Sequence, residues 1–91
     1  MIESRIDEVW TRIENNQGQM FHTITGLEFS YQVMGNYLKT TRTDYNLSKQ
    51  DFARAASMVP IPSPGVINNI VRGPAYIWAI LHDQRISKGE W

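Results

Sequence analysis

The sequence predicts an α+β fold: a single small domain in which a three-stranded antiparallel sheet, a meander, packs against helices in the order α-β-β-β-α-α-α. Three observations lead there. Apolar residues recur with a period of about 3.6 in the first segment, and the period drops to about two between Met20 and Thr43. From Ser48 onward, capping residues and prolines divide the chain into short helical stretches. With 91 residues there is material for one hydrophobic core. The domain is expected over residues 1–86, with 87–91 as a polar C-terminal tail.

The first helix is read from Ile2, Ile6, Val9, Trp10 and Ile13, which fall on one helical stripe. Glu3, Arg5, Asp7, Glu8, Arg12 and Glu14 lie between them and are expected to face water. Asn15-Asn16-Gln17-Gly18 ends it. Phe21 to Thr25 is rich in β-branched and aromatic residues and reads as a strand closed by Gly26. Phe29, Tyr31 and Val33 then alternate with Ser30 and Gln32, and Gly35-Asn36 supplies a two-residue turn into Tyr37–Thr43. That turn sets Met34 opposite Tyr37, Val33 opposite Leu38, Tyr31 opposite Thr40 and Phe29 opposite Arg42. One face is dry (Phe29, Tyr31, Val33, Leu38) and the other wet (Ser30, Gln32, Lys39, Thr41), as a half-covered antiparallel sheet requires.

Asp44 to Leu47 reads as a loop. Ser48 is placed to cap a helix by accepting from the Asp51 amide, with Phe52, Ala55, Ala56 and Val59 facing the core and Pro60 ending it. After the extended Ile61-Pro62, Ser63 caps a third helix that begins with Pro64. It turns Val66, Ile67, Ile70 and Val71 inward and Asn68, Asn69 and Arg72 outward. Gly73-Pro74 opens a last helix, Ala75 to Leu81, that is apolar all round and therefore buried. Asp83 to Trp91 is polar, with Ile86 and Trp91 as anchors.

Composition narrows function. There is no cysteine, which removes disulfide scaffolds, cysteine-based zinc sites and thiol nucleophiles. No apolar run approaches the roughly 18 residues a membrane span needs. The charged start Met1-Ile2-Glu3-Ser4-Arg5 does not read as a signal peptide, and the expected location is cytoplasmic. His22 and His82 stand far apart, and neither a metal-binding spacing nor a nucleotide or nucleophile motif occurs. The expectation is a non-enzymatic domain with no catalytic residue, no metal and no cofactor. His82 beside Asp83 reads as a polarised base or, more plainly, as a cation at a helix C-terminus.

The formal charge is zero, yet it divides: residues 1–30 hold five acidic against two basic groups, −3, and residues 31–91 seven basic against four acidic, +3. An uneven field of this kind can orient a partner. Two partner classes follow, with nucleic acid the first expectation and protein the alternative. Nucleic acid would be held by Lys39, Thr41, Arg42, Arg54, Asn69 and Arg72, through cations, hydroxyls and amides suited to phosphates and base edges. The helices flanking Gly73-Pro74 suggest a helix-turn-helix, but the second is too apolar to read a groove. For Asn68, Asn69 and Arg72 the plain alternative is a solvated helix face. Arg42 has three readings: a side chain reaching the sheet rim, an ion pair with Asp44 or Asp51, or a ligand contact. The other partner class is protein, as a homodimer or a small inhibitor or accessory subunit, meeting Met34, Tyr37, Tyr45 and Trp91 or the acidic first helix.

Overall fold

A computed structural model describes residues 2–91, with side chains from Arg5 onward. The class is the expected α+β, with four helices, a three-stranded antiparallel sheet and a separate two-stranded one among the described residues. Helix α1 (Ile2–Asn15) buries Ile6, Val9, Trp10 and Ile13 as its periodicity requires. Ile2 and Glu3, read as the start of the stripe and as a solvated neighbour, lie outside the described side chains.

Arg12 departs from expectation: it is buried, not solvated. Its Nη1 donates to the Ile86 carbonyl at 2.9 Å, and its Nη2 reaches Glu8 at 2.7 Å and Glu90 at 2.9 Å. A buried guanidinium is tolerated because its donors meet acceptors. Here they fasten the end of the chain to α1.

The strands are β1 (Phe21–His22), β2 (Glu28–Phe29), β3 (Tyr31–Met34), β4 (Tyr37–Thr40) and β5 (Leu47–Ser48). The β3–β4 register is the expected one from Met34↔Tyr37 to Tyr31↔Thr40. The assignment of strands to sheets differs. The strand expected over Phe21–Thr25 stops at His22, because the Thr23 hydroxyl accepts from the Leu27 amide and turns the chain. It pairs only with β2, through Phe21↔Phe29 and His22↔Glu28. The third strand of the main sheet is β5, from a stretch read as loop and cap, in the order β3-β4-β5.

Several edge groups of β1, β2 and β3 are engaged from within the chain. At β3, the Gln17 side chain accepts from the Val33 amide at 2.9 Å and the Gly18 amide donates to the Tyr31 carbonyl. Arg85 donates to the Met20 carbonyl beside β1, and Arg42 to the Glu28 carbonyl of β2. Occupied edges cannot recruit a foreign strand.

Helix α2 (Lys49–Ala56) begins at the expected cap, Ser48 Oγ accepting from the Asp51 amide at 3.1 Å, and ends at Ser57, before Pro60. The expected third helix is one turn of 3-10 helix, Pro64–Ile67, followed by turns. Ile67 and Val71 are buried, whereas Val66 and Ile70 are exposed, and Ser63 makes no side-chain cap bond. Gly65 and the Asn68-Asn69 pair are weak helix formers, so the spacing alone does not sustain a helix. Helix α3 (Pro74–Leu81) buries Ile77, Ala79, Ile80 and Leu81 and packs on α2, the 3-10 turn and β1. Tyr76 and Trp78 are half-buried at its flank.

The end of the chain is packed as well. Helix α4 (Gln84–Ser87) buries Ile86 and Ser87, and Trp91 donates to the Leu81 carbonyl at 2.7 Å.

Candidate partner-binding surface

The outer face of the β3–β4 hairpin is built by strict alternation. Tyr31, Leu38 and Thr40 turn inward and are buried, while Gln32, Met34, Tyr37 and Lys39 turn outward. Met34 and Tyr37 stand directly opposite each other, both 51% exposed. Around them lie Gln32 and Lys39, paired across the strands, and then Ser30 and Thr41, which line a shallow trough of about 300 Å³. Tyr37 also borders a wider groove of about 470 Å³ between the hairpin turn, α1 and α2. The Asp7–Lys49 ion pair, 2.8 Å long, sits in that groove and joins the two helices.

The tip of this hairpin is held from behind. Gly35 takes φ +62°, which glycine adopts at little cost and which begins the turn. Its carbonyl accepts from the indole N–H of Trp10 at 3.0 Å, and the Asn36 carbonyl accepts from the Lys49 amide at 2.8 Å. Trp10 is in turn buried edge-on against Phe52. The Met34–Tyr37 pair is thus displayed on a support tied to both α1 and α2.

The remaining candidates separate into groups. Lys39 and Thr41 share the outer sheet face. Arg42 reaches the rim, where its Nε donates to the Glu28 carbonyl at 2.7 Å, and it pairs with neither Asp44 nor Asp51. Arg54 pairs with Asp51 at 2.7 Å, and the Arg72 guanidinium lies 4.2 Å over the Tyr45 ring while its amide donates to Asp51. Asn69 is exposed on the turns after the 3-10 segment rather than on a helix face. Tyr45 and Trp91 are half-buried, each under an arginine: Arg72 on Tyr45, and Arg5 at 4.9 Å on Trp91. Among the expected protein-contact residues, Met34 and Tyr37 stand together, while the rings of Tyr45 and Trp91 cover the chain itself.

The cations are mostly engaged within the molecule. Arg85 lies over Phe21 and grips Asp83, which holds the Asp83 carboxyl below its ordinary range. Among the described residues, Lys39 and Lys88 are the basic side chains given no ionic, aromatic or hydrogen-bonding partner. Local spacing offers only part of this, Glu8 for Arg12 and Asp83 for Arg85; the Ile86 and Glu90 contacts of Arg12, the Tyr45 contact of Arg72 and the Phe21 contact of Arg85 come from distant segments.

His82 is neither the polarised base nor the helix-end cation. Its Nε2 accepts from the Ile61 amide at 3.0 Å, and burial lowers its proton affinity below the ordinary 6.5. Asp83 gives both carboxylate oxygens to Arg85 instead. Among the described residues no three metal-capable side chains converge, and no helix is long and apolar enough to cross a membrane.

Comparison with known protein families, with curated proteins and with solved structures finds no match to this chain.

Proposed function

We propose that this chain is a small non-enzymatic binding module whose partner is a protein, docked on the outer face of the β3–β4 hairpin. The observation that carries this reading is the Met34–Tyr37 pair, half-exposed and directly opposed on a tethered turn. Aromatic and Met side chains surrounded by polar ones form the usual energetic centre of an interface. A rigid support lowers the ordering cost of association. Gln32, Lys39, Ser30 and Thr41 supply the polar rim, and Lys39 adds a positive charge that favours an acidic partner surface.

Nucleic acid is the second reading. It rests on the same face, where Lys39 and Thr41 lie near an exposed tyrosine on which a base can stack. It receives less support because Arg42, Arg54 and Arg72 are held by groups of the chain itself. One engaged lysine implies a salt slope of only about −0.7 on a single strand, weak for a phosphate-led interaction.

The test places a photoreactive methionine analogue at position 34 and, separately, at exposed position 70 in cell extract. The expected result is a discrete protein adduct from position 34 and none from 70. The recovered partner should then bind Tyr37→Ser about 30-fold more weakly, an effect of about 2 kcal/mol. Equal adducts from both positions, or unchanged binding by Tyr37→Ser, would defeat the protein reading. A nucleic-acid adduct from position 34, with binding that falls as salt rises, would favour the second.

A further inference from the structure

We propose that Trp78 and His82 form an acid-releasable clamp on the Met58–Pro62 link. The two rings stack, 4.8 Å apart and inclined by 11°, one turn apart along α3 and its C-cap. Together they hold both polar atoms of one peptide residue. Trp78 Nε1 donates to the Ile61 carbonyl at 2.8 Å, and His82 Nε2 lies 3.0 Å from the Ile61 amide nitrogen.

An amide N–H can only donate, so His82 Nε2 must be an unprotonated acceptor. The proton of the neutral ring then sits on Nδ1, 3.1 Å from the Trp78 carbonyl, which accepts it. The hydrogen-bond network thus fixes one tautomer. A second proton has one place to go, Nε2, where it would point at the Ile61 N–H. Acceptor becomes donor, and this half of the clamp is lost.

Burial resists that second proton, and no charged group adds to or offsets the resistance. Met58, Val59, Pro60, Ile61 and Pro62 carry no titratable group, nor do Ile77 to Leu81 of His82's own helix. Asp83, next in the chain, has its carboxylate bound to Arg85. The link has no helix or strand of its own at Ile61, and it leads from α2 to the turn carrying exposed Val66 and Ile70. Acid therefore acts on a backbone amide whose acceptor is the His82 ring itself.

Nuclear magnetic resonance on the His22→Gln protein, which retains one imidazole, tests the clamp. At a pH about one unit above the His82 midpoint, the ring should be the Nδ1–H tautomer and the Ile61 amide protected from exchange. About one unit below that midpoint, Ile61 protection, corrected for intrinsic exchange, should fall at least tenfold while Ile13 in α1 is unchanged. In a His82→Phe background, which keeps a ring over Trp78, Ile61 should exchange fast at both pH values. An Nε2–H tautomer at the higher pH, or Ile61 protection that does not change through the His82 titration, would overturn the proposal. Both readings come from the histidine-containing protein, so they hold even if the phenylalanine variant fails to fold.

Discussion

Two backbone segments are held in the same way and yet rest on different foundations. At the hairpin tip, Trp10 donates to the Gly35 carbonyl and the Lys49 amide to that of Asn36. At the link, Trp78 donates to the Ile61 carbonyl and His82 accepts from its amide. In each case an indole N–H grips a carbonyl of a connecting segment. The hairpin, however, also has a four-pair ladder beneath its tip. The link has none. A tether on a ladder adds stiffness to a shape already defined, whereas a tether on an unpaired segment is much of what defines it.

The largest expected effect comes from comparing two glycines with nearly equal φ. Gly35, in the hairpin turn, has φ +62° and open space around an added Cβ. Gly73, where the segment after the link enters α3, has φ +65°, but a Cβ there would meet Leu47 Cδ2 at 2.7 Å and the Tyr45 ring beyond. Gly35→Ala should therefore lose about 1 kcal/mol, the left-handed strain alone. Gly73→Ala should lose about 3 kcal/mol, because steric overlap adds to the same strain. Urea denaturation of both variants checks the difference, and equal losses would show that the Leu47 contact relaxes freely.

Next in size are the two indoles. Trp10→Phe and Trp78→Phe each remove one N–H···O bond and some packing, for about 1–3 kcal/mol apiece. Their distribution should differ more than their totals. Hydrogen exchange should find the β3–β4 ladder still protected in Trp10→Phe, whereas the Ile61 amide should lose protection in Trp78→Phe. Matching local losses in both would erase the distinction between the segments.

How far each region was legible follows the same division. The hairpin register could be read because alternation and the Gly35-Asn36 turn are local, and a slip by one residue would expose Tyr31 and Leu38. The stripe on α1 and the Ser48 cap were legible for the same reason. So were Met34 and Tyr37, whose outward direction follows from the register. By contrast, β5 is two residues long and shows no period. Val66, Ile67, Ile70 and Val71 have helical spacing, yet the backbone is a 3-10 segment over Pro64–Ile67 followed by turns in which the Val71 amide donates to the Ile67 carbonyl. Arg12 looked solvated because its acceptors, Ile86 and Glu90, arrive more than 70 positions later. Contacts between remote segments leave no local pattern, and both the link and the arginine network are made of such contacts.

Acid should produce a smaller, two-stage change. His82 has its folded proton affinity lowered by burial, so its contribution is fully present above the unfolded value of 6.5 and is lost as pH falls through the folded value. Asp83 is lowered by its hydrogen bond to Arg85, so its contribution is present above 3.8 and disappears at still lower pH. Urea midpoints measured against pH should therefore decline once below about 6.5 and again in the acidic carboxylate range. His82→Phe should remove the first decline and leave the second, which assigns the earlier step to the link. An unaltered first decline in that variant would assign it elsewhere.

The smallest effect on stability is expected where the largest effect on binding is proposed. Met34→Ser and Tyr37→Ser remove side chains that are half in solvent and that stand above a ladder formed by backbone atoms. Each should change the unfolding free energy by no more than about 0.5 kcal/mol. Leu38→Ala, on the opposite face of the same strand and fully buried, should lose about 3 kcal/mol. Neighbouring positions on β4 would then differ several-fold in their importance to folding while sharing one backbone. If Tyr37→Ser instead approached Leu38→Ala, the pair would belong to the core, its exposure would reflect poor packing rather than display, and the outer face would lose its claim as a docking surface. A near-silent Tyr37→Ser in urea, joined to a partner affinity about 30-fold weaker, would separate display from support along one strand.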